Sequence, residues 1–339
     1  MTYSIVIPTH NRADELRGTL ASVGAIRTAA PWEVVVVDNN CTDDTDCVVR
    51  EIAATFPVRL HYLRETIPGR SAALNAGIAV ASGDIIVTLD DDVRVERDFL
   101  DQAGAALDEL QCDYIGGRVY PLWRGERPAW IPEHRTRCWA VIALIDEGEE
   151  PFEFVRRMPL GAAMAFRRYC FDVAGPWDTR VGRKAGTLLG QEVREWCIRA
   201  RSKDLRGFWA PGVVVHHVIH ADRLNKRYFR RWFYWRGISR AILFQQHGLD
   251  MENPQETMVD FSTVPRIAGT PRYLYRTAGR TLRALVRAAV GGRHTEAFEH
   301  ELQLWMYAGI IRQRWRDRDK PLQWATNSDR VAEGVSGVG

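Results

Sequence analysis

The first part of the chain alternates between short apolar segments and amphipathic segments, and this alternation restricts it to a small group of folds. Glu33–Val37 ends in four consecutive valines, which is typical of a strand covered on both faces. Alternating strands and helices form right-handed crossovers around a parallel sheet, and such sheets bind ligands beyond the carboxyl ends of their strands. We therefore predict an α/β fold with a doubly wound, mostly parallel sheet. The predicted strands here are Ser4–Ile7, Glu33–Val37, Val58–Leu63 and Asp84–Leu89, and the predicted helices are Ala13–Ile26, Thr45–Phe56 and Arg70–Ala81.

Beyond Asp92 the pattern is less regular and ends in a mostly helical third. Breaks are expected near Asn253-Pro254 and near Gly291-Gly292, because these residues do not continue a helix. We predict a nucleotide-binding domain over 1–220, a basic helical extension over 221–326, and a disordered, Gly-rich tail over 327–339. The other predicted elements are the helices Phe99–Leu110 and Glu192–Arg201 and the strands Cys112–Arg118, Ala162–Arg167 and Gly207–His217.

Composition narrows the class of protein. The net charge is only +3, which gives no general reason to expect nucleic-acid binding. The six cysteines show no C-x-x-C spacing and are read as reduced thiols of a cytosolic protein. The N-terminus lacks a basic segment followed by an apolar one, and no apolar run has the length of about 18 residues that a membrane span needs. These features predict a cytoplasmic protein without a transmembrane helix.

Three consecutive acids, Asp90, Asp91 and Asp92, follow the apolar segment Ile85–Leu89. Side by side in a crevice, unpaired carboxylates repel one another strongly. Mg²⁺ or Mn²⁺ removes that repulsion, because both take oxygen ligands and also bind phosphate oxygens. A solvated acidic turn, or a helix N-terminus that favours anions, is the alternative interpretation.

Four segments, in order and at suitable spacing, resemble the inverting family 2 glycosyltransferases with the GT-A-type fold. The resemblance covers roughly residues 3–217 and implies a nucleotide-sugar donor, most simply a UDP-sugar, a divalent cation and an acceptor hydroxyl. The four segments are Ser4–Arg12, Val34–Asn40, Gly69–Gly77 and Ser82–Asp92, the last of which carries the D-x-D metal signature of the family.

This resemblance also implies which residues bind the donor. Asp38 stands where an acid of the family contacts the nucleotide base of the donor, although it could instead cap the turn that follows. Arg70, at a helix start, suits a diphosphate or base contact. Arg12 could equally be a surface cation, and Asn75 could be structural. The full implied donor set is Pro8, Thr9, Asn11, Arg12, Asp38, Gly69, Arg70, Asn75, Asp90 and Asp91.

Inversion requires a base that removes the proton of the acceptor hydroxyl. Leu188–Arg201 resembles the family helix that opens with Glu-Asp and continues to a Cys-x-Arg run. Aligned on Cys197, Glu192 takes the Glu position, and Val193 falls where the Asp base usually stands. Either Glu192 is the base, or the alignment shifts by one residue, or the activity is altered. We assign Glu192, whose other possible role is to stabilise the helix N-terminus.

Further residues complete the predicted site. Glu195, one turn after Glu192, is the reserve base and could instead pair with Arg194 or Arg199. Gly161 and Ala162, in a segment that resembles the floor of the acceptor site, could leave room for a sugar or only pack tightly.

The resemblance also implies a histidine as third metal ligand beside Asp90 and Asp92. We choose His217, with His216 as the alternate. A zinc site at His216, His217 and His220 is disfavoured, because adjacent residues on a strand point to opposite faces.

Positive charge is concentrated in two C-terminal stretches. Arg223–Gln245 combines arginines with Trp, Tyr and Phe, and Leu274–Val290 places Arg276 and Arg283 on one helix face and Leu274 and Leu282 on another. Basic amphipathic helices of this kind suit an anionic bilayer surface. A helical cap that packs its apolar face on the sheet is the alternative. A lipid-linked acceptor would explain a peripheral position at the inner face of the cell membrane.

The sequence thus predicts a metal-assisted, inverting glycosyltransferase. The acceptor would be a cell-envelope glycan, a glycolipid or a lipid-linked sugar. Two alternatives remain: a nucleotidyltransferase on a related scaffold, and a non-catalytic protein that binds a nucleotide-sugar, which the valine at position 193 favours. The segment Pro8–Arg12 differs from the glycine-rich phosphate loop that a nucleotidyltransferase would usually carry.

Overall fold

The computed structural model describes residues 1–133, 136–155, 157–184, 186–248, 251 and 264–320. Contacts within the chain define two compact units. The first consists of Met1–Pro128, Glu133–Gly186 and Glu192–Leu224, and the second of Ala129–Pro132, Thr187–Gln191 and Asn225–Gly339. The predicted break near Asn253-Pro254 and the predicted tail over 327–339 lie outside the described residues.

Unit 1 is built on a sheet that has nine strands within the described residues. The strands are β1 (Tyr3–Thr9), β2 (Trp32–Asp38), β3 (Leu60–Arg64), β4 (Ile85–Leu89), β5 (Val93–Val95), β6 (Tyr114–Trp123), β7 (Phe152–Glu153), β8 (Ala163–Arg167) and β9 (Gly207–Ile219). The helices of this unit are α1 (Ala13–Val23), α2 (Thr45–Ala53), α3 (Arg70–Val80), α4 (Phe99–Glu109), α5 (Tyr169–Ala174) and α6 (Glu192–Arg201).

The strand order is β3-β2-β1-β4-β8-β6-β9-β5, and β7 pairs with β9. The first four strands pair in parallel, whereas β8 is antiparallel to both β4 and β6, and β5 is antiparallel to β9. Parallel pairing of β1, β2 and β4 brings their carboxyl ends to one edge of the sheet. Thr9, Asp38 and the acids after Leu89 therefore share that edge.

Burial of the central strands follows from their composition. Every residue of β1 and β4 is buried, as are the valines of β2, because helices cover both faces of a parallel sheet. Helix α3 approaches this sheet closely at Gly77, where an added Cβ would overlap Val6 and Val37. A second apolar centre lies under the antiparallel half, where Trp196 packs edge-on against Tyr114 with ring centroids 5.2 Å apart.

Unit 2 is helical. It contains α7 (Lys226–His247), the short strands β10 (Arg266–Ile267) and β11 (Thr270–Pro271), α8 (Arg272–Val290) and α9 (His294–Arg316). Helices α7 and α9 cross at Gly237 and Gly309, where an added Cβ would overlap the carbonyl oxygens of Met306 and Tyr234. Helix α8 also packs on α9.

The structure confirms most predicted elements of the first ninety residues, and α6 has the predicted bounds. Gly291 and Gly292 separate α8 from α9, as expected. The basic stretch that was predicted from Arg223 forms a helix only from Lys226, because Asn225 caps α7 by accepting from the Tyr228 N–H at 2.8 Å. Within the described residues, no helix combines the length and the apolar character needed to span a bilayer.

Candidate active site

The three acids occupy the short connection between β4 and β5, at the carboxyl edge of the parallel strands. Asp91 and Asp92 are buried, and Asp90 is partly exposed. Thr9, at the end of β1, donates its hydroxyl to Asp91 Oδ2 at 2.8 Å. Burial and the neighbouring charge of Asp92 raise the pKa of Asp91 above its usual value. The cluster therefore carries the electrostatic cost that the sequence predicts.

Two arginines offset part of that charge. Arg12 Nη1 contacts Asp92 Oδ2 and lies 3.2 Å from Asp91 Oδ1. Arg223 Nη1 lies 3.6 Å from Asp92 Oδ2. Arg223 was predicted to lie in a basic helix, and its contact with Asp92 was not predicted. Arg223 lies six residues after His217, just past the end of a strand that reaches the site. This spacing is the sequence signal that could have placed Arg223 near Asp92.

Asp92 is paired with His217 because β5 and β9 run antiparallel. The backbone N–H of Val218 donates to the Asp92 carbonyl at 2.8 Å, which sets His217 Nε2 3.3 Å from Asp92 Oδ1. His217 Nδ1 lies 2.9 Å from the Ile142 carbonyl, which can only accept, so Nδ1 carries a proton. Burial alone lowers the pKa of His217, but the charge and hydrogen bond of Asp92 raise it overall.

The pair formed by Asp92 and His217 fits a divalent cation. A carboxylate oxygen and an imidazole Nε2, whose other nitrogen is fixed by a backbone carbonyl, are the donor types of Mn²⁺ sites. Among the described residues, no three His, Cys, Asp or Glu side chains converge as a complete metal site. Mg²⁺ and Mn²⁺ sites commonly take their other ligands from water and substrate phosphates, so two protein ligands suffice for such a site.

The other two histidines of the strand end lie with other carboxylates. His216 Nε2 is 2.8 Å from Glu96, and His220 Nε2 is 3.3 Å from Glu15. The three histidines thus contact three different acids, in keeping with the expectation that adjacent strand residues face opposite ways.

Arg70 is the central residue of the site. It is the first residue of α3, and its side chain donates to Asp90 Oδ1 from Nε at 3.0 Å and from Nη2 at 2.8 Å. Nη2 also donates to the Gly161 carbonyl at 3.0 Å, and Nη1 lies 3.3 Å from Glu192 Oε1. One guanidinium therefore joins the acid cluster, the segment before β8 and the start of α6.

Glu192 is buried at the first position of α6. Its Oε1 faces Arg70, whereas Oε2 is buried and has no hydrogen-bond partner among the described residues. An unpaired buried carboxylate oxygen is costly, so Oε2 is available to accept a hydrogen bond from a bound molecule. Val193, at the position of the usual Asp base, instead faces Gly161, where an added Cβ would lie 3.0 Å from Val193 Cγ2.

Glu195 is held by Arg199 through two contacts, Oε1 to Nε at 2.7 Å and Oε2 to Nη2 at 2.8 Å. This is the pairing that the sequence analysis gave as its alternative role. Both oxygens of Glu195 are thus engaged in a structural ion pair, whereas only Oε1 of Glu192 is paired.

The remaining predicted donor residues lie around the same edge. Asp38 accepts from the Cys41 N–H at 2.6 Å, so it caps its turn, as one of the two interpretations expected. Asn11 has a φ of 53° and accepts from the Thr42 N–H at 2.7 Å. Gly69 has a φ of 128°, a value that favours glycine, and its N–H donates to Asn39 Oδ1 at 2.7 Å. Pro8 is buried within β1.

Asn75 has a structural role. Its side chain donates to the Trp177 carbonyl at 3.0 Å and accepts from the Trp177 N–H at 2.8 Å. Both polar groups of the amide are thus used to hold one backbone segment.

Gly161 and Ala162 immediately precede β8, whose residue Ala163 pairs with Leu89. This register places both residues beside Asp90. Lack of a side chain at Gly161 leaves its carbonyl accessible to Arg70, and an added Cβ there would come within 3.0 Å of the guanidinium.

By formal charge, the site holds one more carboxylate than guanidinium groups. A divalent cation would reverse the sign of that sum and so favour a diphosphate. The groups counted are Asp90, Asp91, Asp92 and Glu192 against Arg12, Arg70 and Arg223.

Comparison with known proteins gives a consistent result. Residues 4–170 match the family model described as Glycosyl transferase family 2. A glucosyl-dolichyl phosphate glucuronosyltransferase of Haloferax volcanii is 25% identical over 248 residues, which is 72% of this chain and 77% of that protein. A dolichol-phosphate mannosyltransferase of Pyrococcus furiosus is 31% identical over 94 residues, covering 27% of this chain and 26% of that protein.

Solved structures share the fold. A mannosyltransferase from Pyrobaculum calidifontis in complex with GDP-Man and Mn²⁺ has a TM-score of 0.58 at 17% identity, covering 93% of this chain and 87% of that chain. GalNAc-T7 with UDP, GalNAc and Mn²⁺ has a TM-score of 0.51 at 16% identity, covering 74% and 52%. The predicted α/β architecture with a helical C-terminal part is confirmed.

Proposed function

The chain belongs to glycosyltransferase family 2, and we propose that it transfers a sugar with inversion from a UDP-sugar to the hydroxyl of a lipid-linked or cell-envelope acceptor. Its relatives are glycosyltransferases, so the chain is an enzyme of that class with the GT-A-type fold. Among the three interpretations of the sequence, these relatives favour the first over a nucleotidyltransferase and over a binding protein without activity.

The observation that carries this proposal is the state of Glu192. Its Oε1 is fixed by Arg70, and its buried Oε2 has no partner among the described residues. An acceptor hydroxyl that enters the site would donate to Oε2 and then transfer its proton there as the oxygen attacks the anomeric carbon. Glu192 thereby supplies the carboxylate that Val193 does not.

Arg70 positions this base relative to the donor. The same guanidinium binds Glu192 and Asp90. Movement of either carboxylate would therefore break its hydrogen bond to Arg70. The Gly161 carbonyl fixes the guanidinium from a third side. We assign Gly161 and Ala162 to the acceptor side of the site, because they lie between Asp90 and α6.

Asp92 and His217 would hold Mg²⁺ or Mn²⁺, with Asp90 on the donor side of the same cluster. A cation at that position would neutralise the charge that develops on the departing diphosphate. Arg12 and Arg223 contact Asp92 and add positive charge close to where the phosphates would lie. Pro8, Thr9, Asn11, Asp38 and Gly69 form the edge against which the nucleoside would bind.

Relatives support the acceptor class. The Haloferax volcanii protein is named for a dolichyl phosphate-linked sugar and the Pyrococcus furiosus protein for dolichol phosphate. We infer that this chain also acts on an acceptor attached to a lipid, in the cytoplasm at the inner membrane face. The choice of uridine over guanosine rests on the family resemblance, since fold neighbours bind either nucleotide.

Thermal unfolding measured with Mn²⁺ and either UDP or GDP tests the donor proposal. We expect UDP with Mn²⁺ to raise the unfolding temperature and UDP alone to raise it less, because a ligand that binds the folded state stabilises it more at a given concentration when its dissociation constant is lower. A panel of UDP-sugars, assayed for slow hydrolysis, then identifies the sugar. Equal stabilisation by GDP, or by UDP without metal, would contradict the proposal.

A further inference from the structure

The two basic stretches of unit 2 have different environments. In α7 the apolar side chains that the sequence singled out are mostly buried, including Phe229, Phe233 and Phe244. Trp130 packs edge-on against both Phe229 and Phe298, with ring centroids 4.8 and 5.3 Å apart. Arg230 of α7 is paired with Glu301 at 2.6 Å. Helix α7 therefore forms the core of the helical unit.

Helix α8 is only partly covered. Its buried residues Leu274, Thr281 and Ala288 recur every seven positions and so form one narrow stripe, along which the helix packs on α9. The rest of its surface is exposed or half-buried. Leu282 was predicted to share a helix face with Leu274, but Leu274 is buried and 51% of Leu282 is exposed.

One exposed stripe of α8 is basic. Helical spacing brings its five arginines to one side, and α8 contains no Asp or Glu. All five are exposed, and none forms an ion pair within the part of the chain that the structure describes. We call this set the arginine stripe: Arg272, Arg276, Arg280, Arg283 and Arg287.

A second exposed stripe of α8 is apolar and adjoins the first. Leu282, Val286 and Val290 follow one another at intervals of four residues, and their exposed fractions are 51%, 54% and 85%. On a helix with 3.6 residues per turn, this stripe lies beside the arginines and away from the buried one. Neighbouring apolar side chains that are exposed to water are typical of a surface that contacts a partner protein or a membrane.

We propose that α8 binds the surface of an anionic lipid bilayer, with the arginine stripe at the headgroups and Leu282, Val286 and Val290 inserted among the acyl chains. Arginines next to a bilayer are attracted by acidic headgroups, and an apolar stripe beside them gains free energy by leaving water. Bilayer binding by α8 is separate from sugar transfer and does not depend on it.

Charge and shape favour a bilayer over other occupants. Nucleic acid would pair with the arginines but would leave the apolar stripe in water. A second copy of this chain, in a two-fold contact, would bring the arginine stripe against itself. Only an anionic surface with an apolar interior matches both stripes at once.

Co-sedimentation of the full chain with lipid vesicles tests the proposal. We expect binding to vesicles of equal parts phosphatidylglycerol and phosphatidylcholine, and weak binding to phosphatidylcholine alone. The double variant Arg276→Glu/Arg283→Glu should lower the affinity for anionic vesicles by roughly 30-fold or more. Added salt should weaken binding of the unaltered chain, because it screens exposed charges.

The matched control is Arg27→Glu/Arg59→Glu, which changes the net charge equally at exposed arginines of unit 1. It should bind vesicles nearly as the unaltered chain does. A second variant, Leu282→Gln/Val286→Gln, should weaken binding with less dependence on salt. All variants are checked for an unchanged unfolding temperature.

Three results would overturn the proposal. Equal binding of the unaltered chain to neutral and anionic vesicles would show that the arginines do not contribute to binding. Equal loss of binding in the control would show that net charge alone is responsible. A dimer in solution that the α8 substitutions dissociate would assign the face to a second copy.

Discussion

Arg70 and Glu192, which are 122 positions apart in sequence, lie 3.3 Å apart through Nη1 and Oε1. Because Arg70 also donates twice to Asp90, the proposed base and the acid cluster are held by one group. A planar guanidinium can bind several acceptors in fixed directions, which an ammonium group cannot do. The geometry of the site therefore depends on the residue type at position 70 as well as on its charge.

Replacing this arginine should separate charge from geometry. Arg70→Lys keeps the charge but loses the bridging contacts, so we expect kcat to fall by roughly 100-fold while donor affinity changes less. Steady-state kinetics with separate measurement of UDP affinity checks this. The matched control is Arg199→Lys, which alters the ion pair with Glu195 away from Arg70. Lost donor affinity with an unchanged kcat would instead make Arg70 a donor contact only.

Removing the base should stop the chemistry and leave binding. We expect Glu192→Gln to lower the rate of UDP-sugar hydrolysis and transfer by about 100-fold to 10,000-fold, with UDP binding intact. Glu195→Gln is the control. It breaks the ion pair with Arg199 and should lower the unfolding temperature with a smaller effect on rate. If the Glu195 variant is the inactive one, the reserve base is the correct assignment.

Asp92 should be needed for metal-dependent donor binding. Asp92→Asn loses a charged ligand, so we expect Mn²⁺ to give no additional thermal stabilisation by UDP in this variant. In the unaltered chain, a ligand at 100 times its dissociation constant stabilises the fold by about 2.7 kcal/mol. Asp98→Asn, an exposed acid outside the cluster, should keep the full effect. An undiminished Mn²⁺ effect in the Asp92 variant would exclude this residue as a ligand.

Asn75 should matter for stability and little for the donor. Asn75→Ala removes both hydrogen bonds to the Trp177 backbone, and we expect a loss of about 1–3 kcal/mol in the free energy of unfolding. Chemical denaturation measures this loss, and UDP titration measures the donor affinity. Weaker UDP binding at an unchanged free energy of unfolding would show that Asn75 contacts the donor, as the sequence predicted.

Much of unit 1 could be predicted because its signals are local. Apolar runs such as Val34–Val37 identify strands without reference to the rest of the chain, and the polar residues that follow them mark one sheet edge. The strand β5 was not predicted, since three residues, Val93–Val95, are too short for a periodic signal. Its antiparallel partner β9 is more than a hundred residues away, so local patterning does not reveal the pairing.

Contacts between side chains could be predicted less well. The roles of Glu192, Asp92 and His217 were predicted from a family resemblance. In the structure Glu192 lies beside Arg70, and Asp92 lies beside His217. The contact of Arg223 with Asp92 was missed, because it depends on how the chain turns after β9. Leu282 was predicted to share one helix face with Leu274, since helical spacing alone does not show how narrow the covered stripe is.

Helices α7 and α9 meet backbone to backbone at Gly237 and Gly309, and α8 takes no part in that crossing. Much of the packing that stabilises the helical unit is therefore between α7 and α9. Most of the surface of α8 lies outside that packing. In the proposed contact with a bilayer, substitutions on the outer side of α8 would change the lipid preference without unfolding the scaffold. Lipid specificity would then be set by one helix.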